Sequence, residues 1–290
     1  MSYRKILVPV DSGDGAHGAV ETAFALAGVF GAHVEGLHIR IEPADAVPYV
    51  GEGMSGALVQ ELIELTERES VARAAVAREM FERLRLAAGV PVAEAPAGAE
   101  ASACWLEEVG HEADAVVRAG QLADLIVVSR SAGETMGGTP IFSAVLFETG
   151  RPVLVVGGRS DAASHPVQAG APRRVVIAWK HSAEAARSVA AAMPLLARAE
   201  RVTAVCAKDE DEQSRALSAL TTYLAWHGIA AERRLLAAYP SVGEALAAAA
   251  IDADLVVMGG YSHSRLRELI LGGVTRHMLE RTTIPLLLAH

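Results

Sequence analysis

The residues best suited to do chemistry lie between Val256 and Met278, in "VVMGGYSHSRLRELILGGVTRHM". An apolar, strand-like run gives way to Gly259 and Gly260, then to small polar residues, a second glycine pair at Gly272 and Gly273, and a helix-like stretch. Glycines at such junctions let backbone N–H groups approach an anion such as phosphate, because no Cβ stands in the way. Gly272, Gly273, Val274 and Thr275 fall near the start of the last helix, where unsatisfied N–H groups and the helix dipole favour negative charge. Ser262 offers a hydroxyl at the cost of bulk, and His263 and Arg265 add positive charge from the loop. No lysine-bearing P-loop and no dinucleotide-type glycine spacing accompany them. The competing reading is that the glycines serve only tight turns and helix–strand packing.

Other chemistry is poorly provided for. The sequence has no nucleophile elbow, paired-cysteine site or Walker motif, so no catalytic residue is expected. Asp252 and Asp254 stand before a strand-like run, the wrong end for holding a metal against phosphates. Cys104 and Cys206 are far apart, and His17, His33 and His38 have no ligand spacing, so neither a disulfide nor a metal site is expected. "HEADA" at His111 lacks the second histidine of a zinc-protease helix. Trp105 and Trp179 read as packing residues.

The elements that must position the glycines occur twice. "RKILVPVDSG" is echoed by "RRVVIAWKHS", and "ADLIVVSRSAG" by "ADLVVMGGYSH"; each half ends on a Pro-led strand, "RPVLVVGG" and "IPLLLAH". Between Gly157 and Pro172 the Gly, Ser, Ala and Pro content marks a linker, giving domains at 1–158 and 173–290. Ile6 matches Val175 at an offset of 169 but Ala123 matches Ala253 at 130, so the first half carries about 39 extra residues. They form a Pro/Gly loop, "RIEPADAVPYVGEGMSG", and a long helical run from Ala57 whose apolar stripe includes Leu62, Leu65, Val76, Met80, Phe81 and Leu84. That stripe is core or a partner surface. In the second half a shorter helix spans Arg215 to His227, followed by a strand "AAERRLLAA" and a helix "SVGEALAAAAIDA".

Strand–helix alternation of this kind predicts an α/β fold: two tandem open, mainly parallel sheets, each with helices on both faces. Continuously apolar runs such as "ILVPV" and "LVVM" suit strands buried on both sides. Ligands in such sheets bind beyond the carboxyl ends of the strands, here marked by Asp11, Lys180, Ser129 and Gly259. The final strands would be exposed apolar edges, so they are expected to meet each other. One continuous sheet across both halves would count against duplication. Composition agrees with a well-filled core: 51% of the 290 residues are hydrophobic, 21% charged and 4% aromatic. A net charge of −9 argues against binding nucleic acid or an anionic membrane. No apolar run is long enough to span a bilayer and no leader-like segment opens the chain, so a cytoplasmic protein is expected.

These motifs resemble the universal stress protein family, in a tandem form covering nearly the whole chain. The family's nucleotide-binding branch carries Gly, two residues, Gly, nine residues, then Gly followed by Ser or Thr. Gly259 matches the first glycine and Gly272 the third, whereas Ser262 replaces the second and Gly273 the hydroxyl residue. Lys180, in "AWKHSAEAAR", stands where the acidic residue belongs; Asp11 keeps that position in the first half, where the glycine spacing is missing. The resemblance implies a Rossmann-like fold of the adenine-nucleotide alpha-hydrolase type and an internal pseudo-dimer, with homodimerisation and a protein partner open. It implies a stress-response regulator, not an enzyme, binding ATP or AMP, with Mg²⁺ only alongside ATP, or another small anion. The second-half site would use Ala178, Trp179, Lys180, Met258, Gly259, Gly260, Ser262, His263, Gly272, Gly273, Val274 and Thr275. A first-half site would use Pro9, Val10, Asp11 and Ser129. A ligand-free scaffold and a weak nucleotide hydrolase are the alternatives.

Overall fold

The computed structural model describes residues 2–13, 15–40, 42, 56–95, 98, 100–130, 139–157, 171–207, 210–236, 239–260 and 273–290. In the first half the elements are β1 (Lys5–Pro9), α1 (Gly15–Phe30), β2 (His33–Arg40), α2 (Gly56–Ala87), β3 (Ser102–Val109), α3 (Glu112–Gly120), β4 (Leu125–Ser129), α4 (Pro140–Glu148) and β5 (Val153–Val156). The second half has β6 (Arg174–Ala178), α5 (Ala183–Leu196), β7 (Arg201–Cys206), α6 (Glu210–Trp226), β8 (Ala231–Leu235), α7 (Val242–Ala249), β9 (Leu255–Gly259), α8 (Gly273–Arg281) and β10 (Leu286–Ala289). The central strands are the apolar runs of the sequence, and β5 and β10 are buried at every residue. Helix starts carry their sequence signals: Ser182, Ser241 and Thr139 each accept a backbone N–H three residues on. No described helix is long and apolar enough to cross a membrane.

The ten strands form one sheet in the order β3-β2-β1-β4-β5-β10-β9-β6-β7-β8. Each half is parallel throughout, and the halves meet where β5 and β10 run antiparallel, with Leu154 opposite Leu287. The expected meeting of the final strands thus fuses two sheets into one. Continuity does not dissolve the duplication: the same strand order runs outward from the join on both sides, with reversed polarity, as a pseudo-twofold requires. Pairing the two edges satisfies backbone groups that an isolated half would expose.

Two hydrophobic cores, one on each sheet face, run across both halves. Tyr3 Oη donates to Ala191 O of α5 at 2.6 Å, and Arg198 lies 4.8 Å over the Phe30 ring. The guanidinium of Arg130, just past β4, donates to the carbonyls of Thr282 and Ile284 in the other half. The long helix α2 buries Ser70, Ala74, Ala77 and Phe81. Gly36 in β2 makes room for Phe81, whose ring packs on Trp105 and Phe24. Met80 and Leu84 pack beside it, but Leu65 and Val76 are exposed, so the apolar stripe read from the sequence is only partly core. Arg40 pairs with Glu67 and Glu107, tying α2 to the sheet edge. The strand β3 and helix α3, the first-half counterparts of β8 and α7, were not foreseen: the polar "LEEV" end of β3 hides its strand character.

Candidate functional site

At the carboxyl ends of β6 and β9 the register places Ala178 beside Met258, where the strand order reverses, with Trp179, Lys180, Gly259 and Gly260 directly following in the chain. Met258 is buried, and its carbonyl accepts from Ser188 Oγ, which in turn accepts from Ala289 N. A Cβ on Gly259 would lie 2.8 Å from Ala185 N, so this glycine lets α5 press its first turn onto the strand end. Gly260 donates its N–H to Ala289 O at 2.9 Å, and its carbonyl meets His290 Nδ1 at 3.0 Å. Its amide is committed to β10 and is not aimed at an anion. Gly273 opens α8 with nothing among the described residues within 4 Å of an added Cβ; Val274 packs on the core and Thr275 is buried. Ser262, His263, Arg265 and Gly272 lie outside the described residues.

Beside this crest a cavity of about 870 Å³ opens between α5 and α6 over the ends of β6 and β7. Its volume falls in the range of small-molecule sites. Val189, Cys206 and Leu220 give it an apolar floor, Trp179 and Tyr223 aromatic walls, and Lys180, His181 and Arg215 a cationic rim. The indole Nε1 of Trp179 is shielded from solvent and has no hydrogen-bond acceptor among the described residues. Such a lining suits a ligand with a flat, partly apolar body and a negatively charged end. Trp179 and Lys180 were anticipated; Arg215 and Tyr223 were not. Residues 215, 219 and 223 recur at helical spacing on one face of α6, and that periodicity was the available signal.

In the first half, Asp11 Oδ1 accepts the Gly13 N–H at 2.9 Å, forming a turn ahead of α1. Val10 is buried between strands: its N–H donates to Leu37 O, and its carbonyl accepts from His38 Nδ1. Pro9 and Ser129 end β1 and β4 and are half-buried. Burial, with the Asp11 carboxylate adding to it, holds the Glu112 carboxyl above its usual range. An acidic pair therefore occupies this end of the first half, where the second half presents cations. Residues 131–138, the counterpart of the second-half glycine loop, lie outside the described residues.

Comparison with known proteins bears on both halves. The model of the universal stress protein family matches residues 2–156 and 168–290. Among solved structures, a universal stress protein from Archaeoglobus fulgidus DSM 4304 aligns over 100% of this chain and 99% of its own, at 14% identity and a TM-score of 0.70. A functionally unknown protein from Pseudomonas aeruginosa PAO1 aligns over 99% of this chain and 92% of its own, at 14% identity and a TM-score of 0.57. At that identity the likeness speaks to fold alone. A search of curated proteins returned no match. With the family model matching twice and one strand order repeated about the join, the chain belongs to the universal stress protein family, in its tandem two-domain form.

Proposed function

We propose that the chain is a non-enzymatic stress-response regulator whose second half binds an adenine nucleotide, ATP or AMP, or another small anion with a flat apolar body. Occupancy of the site biases association with a protein partner. The observation that carries this reading is the cavity over β6 and β7, with aromatic walls and the cations Lys180, His181 and Arg215 at its rim. The position, beyond the carboxyl ends of strands beside a reversal of strand order, is where open α/β sheets take ligands. The spacing from Gly259 to Gly272 adds a loop compatible with phosphate groups. Among the described residues the lining is cationic and apolar, which suits phosphate groups.

Calorimetry of the full chain with ATP and AMP, with and without Mg²⁺, tests this reading. Heat of binding is expected for the wild type. It should vanish when Ala219→Trp fills the cavity, and affinity should fall about tenfold, or roughly 1.4 kcal/mol, in Arg215→Glu. Melting curves check that both variants fold. No heat at millimolar nucleotide would favour the ligand-free scaffold. Phosphate release above an Ala219→Trp control would favour a hydrolase.

A further inference from the structure

We propose that His33, Glu35 and Cys104 bind a divalent transition-metal cation of the zinc class at the amino ends of β2 and β3. The sequence hides this cluster, because Cys104 is 71 residues from His33 and no ligand spacing connects them. The sheet supplies the connection. Parallel pairing sets His33 against Ser102 and Glu35 against Cys104. Alternation along both strands turns all four side chains to one face, away from the core that holds Val34 and Ala103. One donor atom from each of His33, Glu35 and Cys104 lies within 4.8 Å of the others, and all three residues are half-buried, so an ion can enter.

Imidazole, thiolate and carboxylate are the ligand types zinc takes, at about 2.0–2.3 Å from the metal, and three protein ligands leave a fourth position for water. Adjacent strands already hold the donors together, so side-chain torsions suffice to close on an ion. The imidazole is also aimed. Its Nε2 lies 3.3 Å from Cys104 Sγ, and its Nδ1 lies 2.9 Å from Ser102 Oγ. With no cation bound, Nε2 faces the Cys104 sulfur and Nδ1 faces the Ser102 hydroxyl. A backing partner on the second ring nitrogen is what a metal-bound histidine uses to fix its orientation. Cation binding replaces the thiol proton by a metal–sulfur bond and releases that proton to solvent. Thiolate and carboxylate then set two negative charges against the ion and the Lys5 ammonium. Lys5 Nζ sits 2.7 Å from Glu35 Oε1, and a carboxylate has a second oxygen that can take the ion.

The test is titration of the full chain with Co²⁺, followed by displacement with Zn²⁺. We expect one equivalent to produce a thiolate-to-cobalt absorption band that Zn²⁺ abolishes. The band should be missing in Cys104→Ser, retained in Cys206→Ser, and require about tenfold or more higher Co²⁺ in His33→Gln and Glu35→Gln. A second readout needs no variant: Zn²⁺ should slow alkylation of Cys104 by iodoacetamide about tenfold or more. A band that survives Cys104→Ser, no band at all, or an alkylation rate indifferent to Zn²⁺ would overturn the site.

Discussion

Single positions decide what the glycines of the second half do. Gly259 touches the backbone of α5, so Gly259→Ala has to shift a strand end or a helix; urea denaturation should show a loss of about 1–3 kcal/mol. Gly36→Ala meets the Phe81 ring at 2.5 Å and should cost a similar amount, since an aromatic ring held under α2 has to move. Gly273→Ser should behave in the opposite way, with stability unchanged to within about 0.5 kcal/mol, because a side chain there meets none of the described residues. If phosphate is held at the start of α8, the added hydroxyl should tighten ATP binding, which calorimetry reads directly. The sequence showed that these glycines sit at junctions. It did not show which junctions were already filled: Gly260 spends its amide on Ala289, a partner fixed only once β10 is placed. Arg215 and Tyr223 were missed for a related reason, because a solvated helix face and a cavity wall have the same periodicity until a neighbouring helix stands opposite.

At the level of elements, one brace is used twice. Asp254 Oδ2 accepts the N–H groups of Arg173 and Arg174 ahead of β6, and Asp124 Oδ2 accepts those of Arg4 and Lys5 ahead of β1. Burial alone would raise the Asp254 pKa; the Arg174 backbone N–H and guanidinium outweigh it and lower the pKa. A carboxylate depressed in the folded state contributes stability above its unfolded pKa of about 3.9 and loses it as pH falls through the lower folded value. Melting temperature should therefore drop more steeply below about pH 4 in the wild type than in Asp254→Asn. At pH 7 the variant should be about 1–2 kcal/mol less stable. The positions of Asp252 and Asp254 before a strand were legible in the sequence; the brace itself was not, because its partners lie some 80 residues away. Nor was the full reach of α2, whose exposed Leu65 and Val76 match the helical period without meeting the core.

The whole molecule behaves as one unit because its halves share both cores and a strand pairing. Unfolding is expected to be a single transition, with the fluorescence of Trp105 in one half and of Trp179 and Trp226 in the other changing together. Arg130→Ala would leave the half-buried carbonyls of Thr282 and Ile284 short of a charged donor, at a cost of about 1–3 kcal/mol, and that transition should move as a whole. Duplication and the meeting of the last strands were readable, since they follow from repeated apolar runs and the need to cover edges; the strand order within each half was not. The antiparallel seam between β5 and β10 has a further effect. Where two identical subunits meet, every substitution strikes both at once; here one chain supplies both sides, so each half is free to drift separately. Aspartate and glutamate at one end and lysine, histidine and arginine at the other are what such divided inheritance permits, so the molecule carries two unlike faces instead of a mirrored pair.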